Sequence, residues 1–73
     1  MDEETVHVTD VIRLGQLLKL AGAAESGAHA RHLLDEGEVH VNGELEQRRG
    51  RQLGAGDVVT VARPEGELTV RLT

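Results

Sequence analysis

Apolar residues recur along this chain first at intervals of three and four and later at intervals of two. The change of period marks where helices give way to strands. In the run VIRLGQLLKLA, the residues Val11, Leu14, Leu17, Leu18 and Ala21 share one helical face, with Lys19 on the opposite side beside Gln16. Thr9 and Asp10 precede it as N-cap candidates and Gly22 follows as a stop. A second helix is predicted from a Ser26 cap to Gly37, with Ala30, Leu33 and Leu34 inside and Ala28, Arg31, His32 and Asp35 outside. Its pairs Arg31–Asp35 and His32–Glu36 stand at i,i+4, which steadies an exposed helix face by roughly 0.2–0.5 kcal/mol each. The intervening AGAAE fits only a turn, so the two helices form a tight pair.

After Gly37 the period falls to two. Glu38-Val39-His40-Val41 alternates, Asn42-Gly43 is a hairpin turn, and Glu44-Leu45-Glu46 continues the alternation. QRRGRQL follows, then a Gly54-Ala55-Gly56-Asp57 turn in which Asp57 organises the backbone, then a Val58–Val61 strand. Pro64-Glu65-Gly66 turns the chain into a last strand over Leu68–Leu72. Residues 1–8 read as a mobile acidic segment, although Val6 and Val8 alternate with polar neighbours as a short edge strand would. The expected organisation is this segment followed by one domain over 9–73. Its fold class is α+β, with two short helices packed on a small, mostly antiparallel sheet.

Composition narrows this picture. Seventy-three residues without Phe, Tyr, Trp or Cys must build their core from Val, Leu, Ile and Ala, near the lower size limit for a single core. No disulfide framework is available, no apolar run approaches a signal peptide or membrane span, and a monomer in the cytoplasm is expected. The formal net charge of −5 argues against a polyanionic partner. However, Asp2, Glu3, Glu4 and Asp10 fall in the first ten residues, which contain no Lys or Arg, and the rest of the chain is close to balance. The one concentration of positive charge is Arg48, Arg49 and Arg51. It sits beside Glu44 and Glu46, and a charge run read alone is more often a solvated face than a site.

Covalent chemistry has no support. The chain lacks a paired acid and base or a Gly-rich phosphate loop, and Ser26 reads as a helix cap and not a nucleophile. His29 and His32 at i,i+3, with His40, lack the Cys or carboxylate that would complete a metal set. Neither an enzyme nor a metal or cofactor site is expected; a binding module is.

Four segments in fixed order carry a family resemblance: R-L-x-x-x-L at Arg13, Leu14 and Leu18; S-x-x-x-A-R at Ser26, Ala30 and Arg31; E-G-x-V-x-V-N-G from Glu36 to Gly43; and G-D at Gly56-Asp57. Together they resemble the S-four RNA-binding domain, also called the alpha-L motif. Leu17-Leu18-Lys19-Leu20, Glu25-Ser26-Gly27 and Glu46 through Leu53 are most similar to the small stand-alone bacterial YbcJ-type RNA-binding proteins. The resemblance implies non-catalytic binding of structured RNA, ribosomal or transfer RNA, through backbone phosphates, in ribosome assembly or quality control. It implies that the helix pair and adjoining loops face the RNA. Two positions depart from it: Gly27 stands where many members carry Arg, and Gly15 where many carry Asp.

Under that reading, Ser26-Gly27-Ala28 presents backbone N–H groups at a helix N-terminus, and Lys19 and Arg31 flank it. Arg48, Arg49 and Arg51 supply the remaining charge from one loop that Gly50 lets bend. His29 and His32 are candidate phosphate contacts once protonated. With no aromatic platform, duplex or folded RNA is a better ligand than a single strand. The alternative is a protein-interaction module whose acidic surface docks a basic partner such as a ribosomal protein.

Overall fold

The computed structural model describes residues 2–73. Its elements are strands β1 (Asp2–Val6) and β2 (Ile12–Arg13), helices α1 (Leu14–Leu20) and α2 (Gly27–Asp35), and strands β3 (Val39–Val41), β4 (Glu44–Leu45), β5 (Gln52–Leu53), β6 (Val58–Val61) and β7 (Leu68–Leu72). Five strands form a sheet in the order β1-β7-β6-β3-β4, and β2 and β5 form a separate two-stranded ladder. All pairings are antiparallel except β1 with β7. The α+β architecture is as the pattern predicts.

The core is aliphatic. Leu14, Leu17 and Leu18 of α1, Ala30, Leu33 and Leu34 of α2, and Val39, Val41, Val59, Val61, Leu68, Val70 and Leu72 of the sheet are buried in one cluster. Period-two burial in β6 and β7 leaves Thr60, Thr69 and Arg71 on the other face of the sheet. None of the described helices is long and apolar enough to cross a membrane.

Local chemistry explains α2 and the hairpins. Ser26 is extended (φ −155°, ψ 171°) and its Oγ accepts from the His29 backbone N–H at 3.1 Å, so the expected cap is in place. Gly37, at φ +73°, ends the helix in the left-handed region. Asn42 (φ +52°) and Gly43 (φ +84°) make the β3–β4 turn. The Asn42 side chain also acts at long range. Its Oδ1 accepts from Val58 N–H at 2.9 Å, and its Nδ2 donates to Asp57 Oδ1 at 3.0 Å. Asp57 Oδ2 in turn accepts from Gly54 N–H at 2.9 Å, which closes its own turn.

Two stretches depart from the local pattern. Helix α1 begins three residues later than the apolar run suggests, because Ile12 and Arg13 pair with Leu53 and Gln52. Asp10 Oδ1 therefore accepts from Val11 N–H at 2.7 Å in a bend and not at a helix start, and Val11 is 60% exposed. The expected mobile start is instead strand β1, in parallel register with β7 from Asp2↔Leu68 to Val6↔Leu72. Its acids are used there: Asp2 Oδ2 accepts from Arg63 at 2.7 Å and Glu3 Oε1 from Arg71 at 2.6 Å.

Candidate functional site

Where α1, α2 and the loop joining β4 to β5 converge, they leave a shallow cavity of about 330 Å³ lined by Arg13, Gly15, Gln16, Lys19, Gly27, Ala30, Arg49 and Gly50. Each wall has a local cause. Arg13 is the last residue of β2, held there by its ladder with β5. Lys19 is on the exposed side of α1, a turn beyond Gln16, whose Oε1 accepts from the Arg13 N–H at 3.3 Å. Gly27 opens α2, and a Cβ placed on it would meet nothing within 4 Å, so the backbone is accessible from the cavity.

The loop wall is fixed by α1. Gly15 N–H donates to the Arg49 carbonyl at 2.9 Å and Leu14 N–H to the Arg51 carbonyl at 2.8 Å. These satisfy helix-start donors that would otherwise need a cap or water. Arg49 then lies so close across α1 that a Cβ on Gly15 would overlap its Cγ. The helix cost of glycine, roughly 1 kcal/mol against alanine, is accepted here for that close approach.

Charge pairing decides what the cavity is. Arg31, Arg48, Arg51, Arg63 and Arg71 each have a carboxylate oxygen within 4.0 Å. Among the described residues, Arg13, Lys19 and Arg49 do not, and all three line this one cavity. It is a positive hollow beside the N-terminus of a nine-residue helix, suited to an anion.

The residues singled out from the sequence are only partly brought together. Lys19, Gly27 and Arg49 line the cavity, and Ser26 caps the helix beside it. Arg31 lies outside it, 3.9 Å from Asp35 on the outer face of α2. His29 and His32 line a different hollow with Leu33, Glu36, Glu38, Ala62 and Pro64. His29 Nδ1 accepts from the Glu25 backbone N–H at 3.0 Å, a structural role in the turn. The arginine cluster is split, because Glu46 gathers Arg48 and Arg51 and leaves Arg49 alone on the cavity side. Arg13, which ends β2 just before α1, is not among the site candidates from the sequence, where it enters only through the R-L pair. Among the described residues, no group of three or more His, Asp or Glu is placed to hold a metal ion.

Glu46 is the buried charge of this region, only 6% exposed. Its carboxylate accepts from both Arg48 and Arg51 at 3.1 Å. Hydrogen bonds from the Arg48 side chain, then from the Arg48 backbone and from Arg51, outweigh the opposing effect of burial and hold its pKa near 2, against an ordinary 4.5. Because the folded pKa lies below the unfolded one, this stabilisation is complete above pH 4.5 and is lost as pH falls toward 2. Asp57 is also lowered, first by Asn42 and then by the Gly54 N–H, and adds to the same slope. Urea midpoints should therefore fall as pH drops from 4.5 to 2, and Glu46→Gln should flatten most of that fall. An equally steep acid limb in the variant would reject the assignment.

Comparison with known proteins adds the following similarities. The pattern of the S4 domain family matches residues 6–71. The probable ribosome maturation protein RlbA of Bacillus subtilis is 53% identical over 53 residues, covering 73% of this chain and 75% of that one. The putative RNA-binding protein YbcJ of Escherichia coli is 43% identical over 51 residues, 70% and 73% of the two chains. In three dimensions, the C-terminal domain of a tyrosyl-tRNA synthetase superposes with a TM-score of 0.71 at 28% identity, over 97% of this chain and 78% of that one.

Proposed function

This chain belongs to the S4 domain family, and from that premise we propose that it binds structured RNA through backbone phosphates, without catalysis. The observation that carries the reading is the convergence on one cavity of Arg13, Lys19 and Arg49, the basic side chains without a carboxylate partner among the described residues. Phosphate oxygens fit such a site: two guanidinium forks, an ammonium and a helix start all favour negative charge. The chain has no aromatic residue, so bases have no stacking platform, and recognition falls to the shape and backbone of a folded RNA. Relatives named for ribosome maturation and for tyrosyl-tRNA synthesis support ribosomal or transfer RNA as the ligand, with a role in ribosome assembly or quality control.

A surface docking a basic protein is the weaker alternative, since Asp2 and Glu3 are already tied to Arg63 and Arg71. Association with ribosomal particles should accordingly be lost on ribonuclease treatment. The direct test is a salt titration. Three phosphate contacts give a slope of about 0.7 to 0.9 each, or about 20- to 40-fold weaker binding of a folded RNA between 50 and 200 mM salt. Affinity that stays level across this range would dismiss the phosphate reading.

A further inference from the structure

Glu46 has a use beyond stability, and it rests on the RNA-binding reading above. Its Oε2 accepts from the backbone N–H groups of Gln47 (3.1 Å) and Arg48 (3.2 Å) and from Arg48 Nε (3.2 Å). Its Oε1 accepts from Arg48 Nη2 and Arg51 Nη1, both at 3.1 Å. The carboxylate thus grips the loop at residues 47, 48 and 51, which closes a turn with Arg51 N–H donating to the Arg48 carbonyl at 3.3 Å. Between the gripped residues stand Arg49 and Gly50, the two loop residues that line the cavity.

We propose that Glu46 is a positioning residue for the anion site: by gathering Arg48 and Arg51 it fixes the loop against the start of α1 and delivers Arg49 to the cavity. Arg48 and Arg51 act through this grip and not as phosphate ligands. The consequence runs against simple charge counting. Removing the carboxylate releases two guanidinium groups and makes the protein less acidic, so charge alone would tighten RNA binding. Positioning requires the reverse.

The experiment compares wild type with Glu46→Gln on refolded transfer RNA between 50 and 200 mM salt, together with amide hydrogen exchange at Leu14 and Gly15, whose N–H groups donate to the loop. Expected for the variant is binding about three- to tenfold weaker, a salt slope lower by about 0.7 to 0.9, the equivalent of one phosphate contact, and faster exchange at those two amides. Equal or tighter binding by the variant overturns the proposal, as does unchanged exchange. Should Glu46→Gln not fold, Arg48→Lys keeps the charge at an exposed position and breaks only the two-pronged contact. It must then show the faster exchange and weaker binding, and wild-type behaviour in it overturns the proposal. Wild type failing to bind RNA rejects the phosphate reading instead, while the exchange measurement, which needs no RNA, still decides whether Glu46 fixes the loop.

Discussion

Replacing Arg13, Lys19 and Arg49 together by Gln should weaken binding to folded RNA by about two orders of magnitude at 0.1 M salt and leave almost no salt dependence. The size follows from counterion release: three contacts at 0.7 to 0.9 per contact are worth about 2.1 to 2.7 decades at that concentration. Glutamine keeps a hydrogen-bonding amide while removing the charge, and all three positions lie at the cavity without a carboxylate partner. The matched control is Arg31, Arg63 and Arg71 to Gln. It changes the net charge equally, but each of those residues faces Asp35, Asp2 or Glu3. A field set by the whole molecule would treat the two triples alike, whereas a local site separates them. If the control loses as much affinity as the cavity triple, binding is a matter of net charge and the site assignment fails.

Leu18→Ala should lower the melting temperature by roughly 10–25 °C, from a loss of about 2–5 kcal/mol. Leu18 has no exposed surface, and its carbonyl accepts from Ala23 at 2.9 Å and Ala24 at 3.0 Å in the turn between the helices. The core around it contains no aromatic ring, so the truncation leaves a hole that branched aliphatic neighbours fill poorly. For a domain of this size, whose total stability is of order 4–11 kcal/mol, that is a large fraction. Leu45→Ala is the contrast, since Leu45 is 55% exposed and its loss should fall within about 0.5 kcal/mol of neutral. Circular dichroism melts of both variants decide the matter, and similar small shifts for the two would mean that the core is not where the burial places it.

What could be read from the sequence follows the range of the interaction. The Ser26 cap, the Gly22 and Gly37 stops and the Asn42-Gly43 turn are set within a few residues, and the pattern found each of them. The apolar period makes helix α1 too long because Val11 fits it, while the partner that draws the neighbouring Ile12 into a strand is Leu53, far along the chain. The alternation makes Glu46 the polar end of a strand. The ladder stops at Leu45, which is exposed, and the next residue turns inward to meet two guanidinium groups. The acid followed by arginines two and five residues later, in ELEQRRGR, was the available signal for that contact. The anion site was half legible for the same reason. Lys19, Gly27 and Arg49 stood out by type, but which arginines are free depends on pairings that only the folded chain sets.

Strand β1 pairs with β7 across nearly the whole length of the chain, with Val8 N–H donating to the Thr73 carbonyl at 2.9 Å and Thr73 N–H to the Val6 carbonyl at 2.9 Å. Contacts between segments so distant carry a larger loop-closure cost than the hairpins and the helix pair. Without β1 paired to it, β7 would be an open edge of five residues, able to recruit a strand from another molecule. In the folded chain β1 covers that edge, and Asp2 and Glu3 fasten it through Arg63 and Arg71.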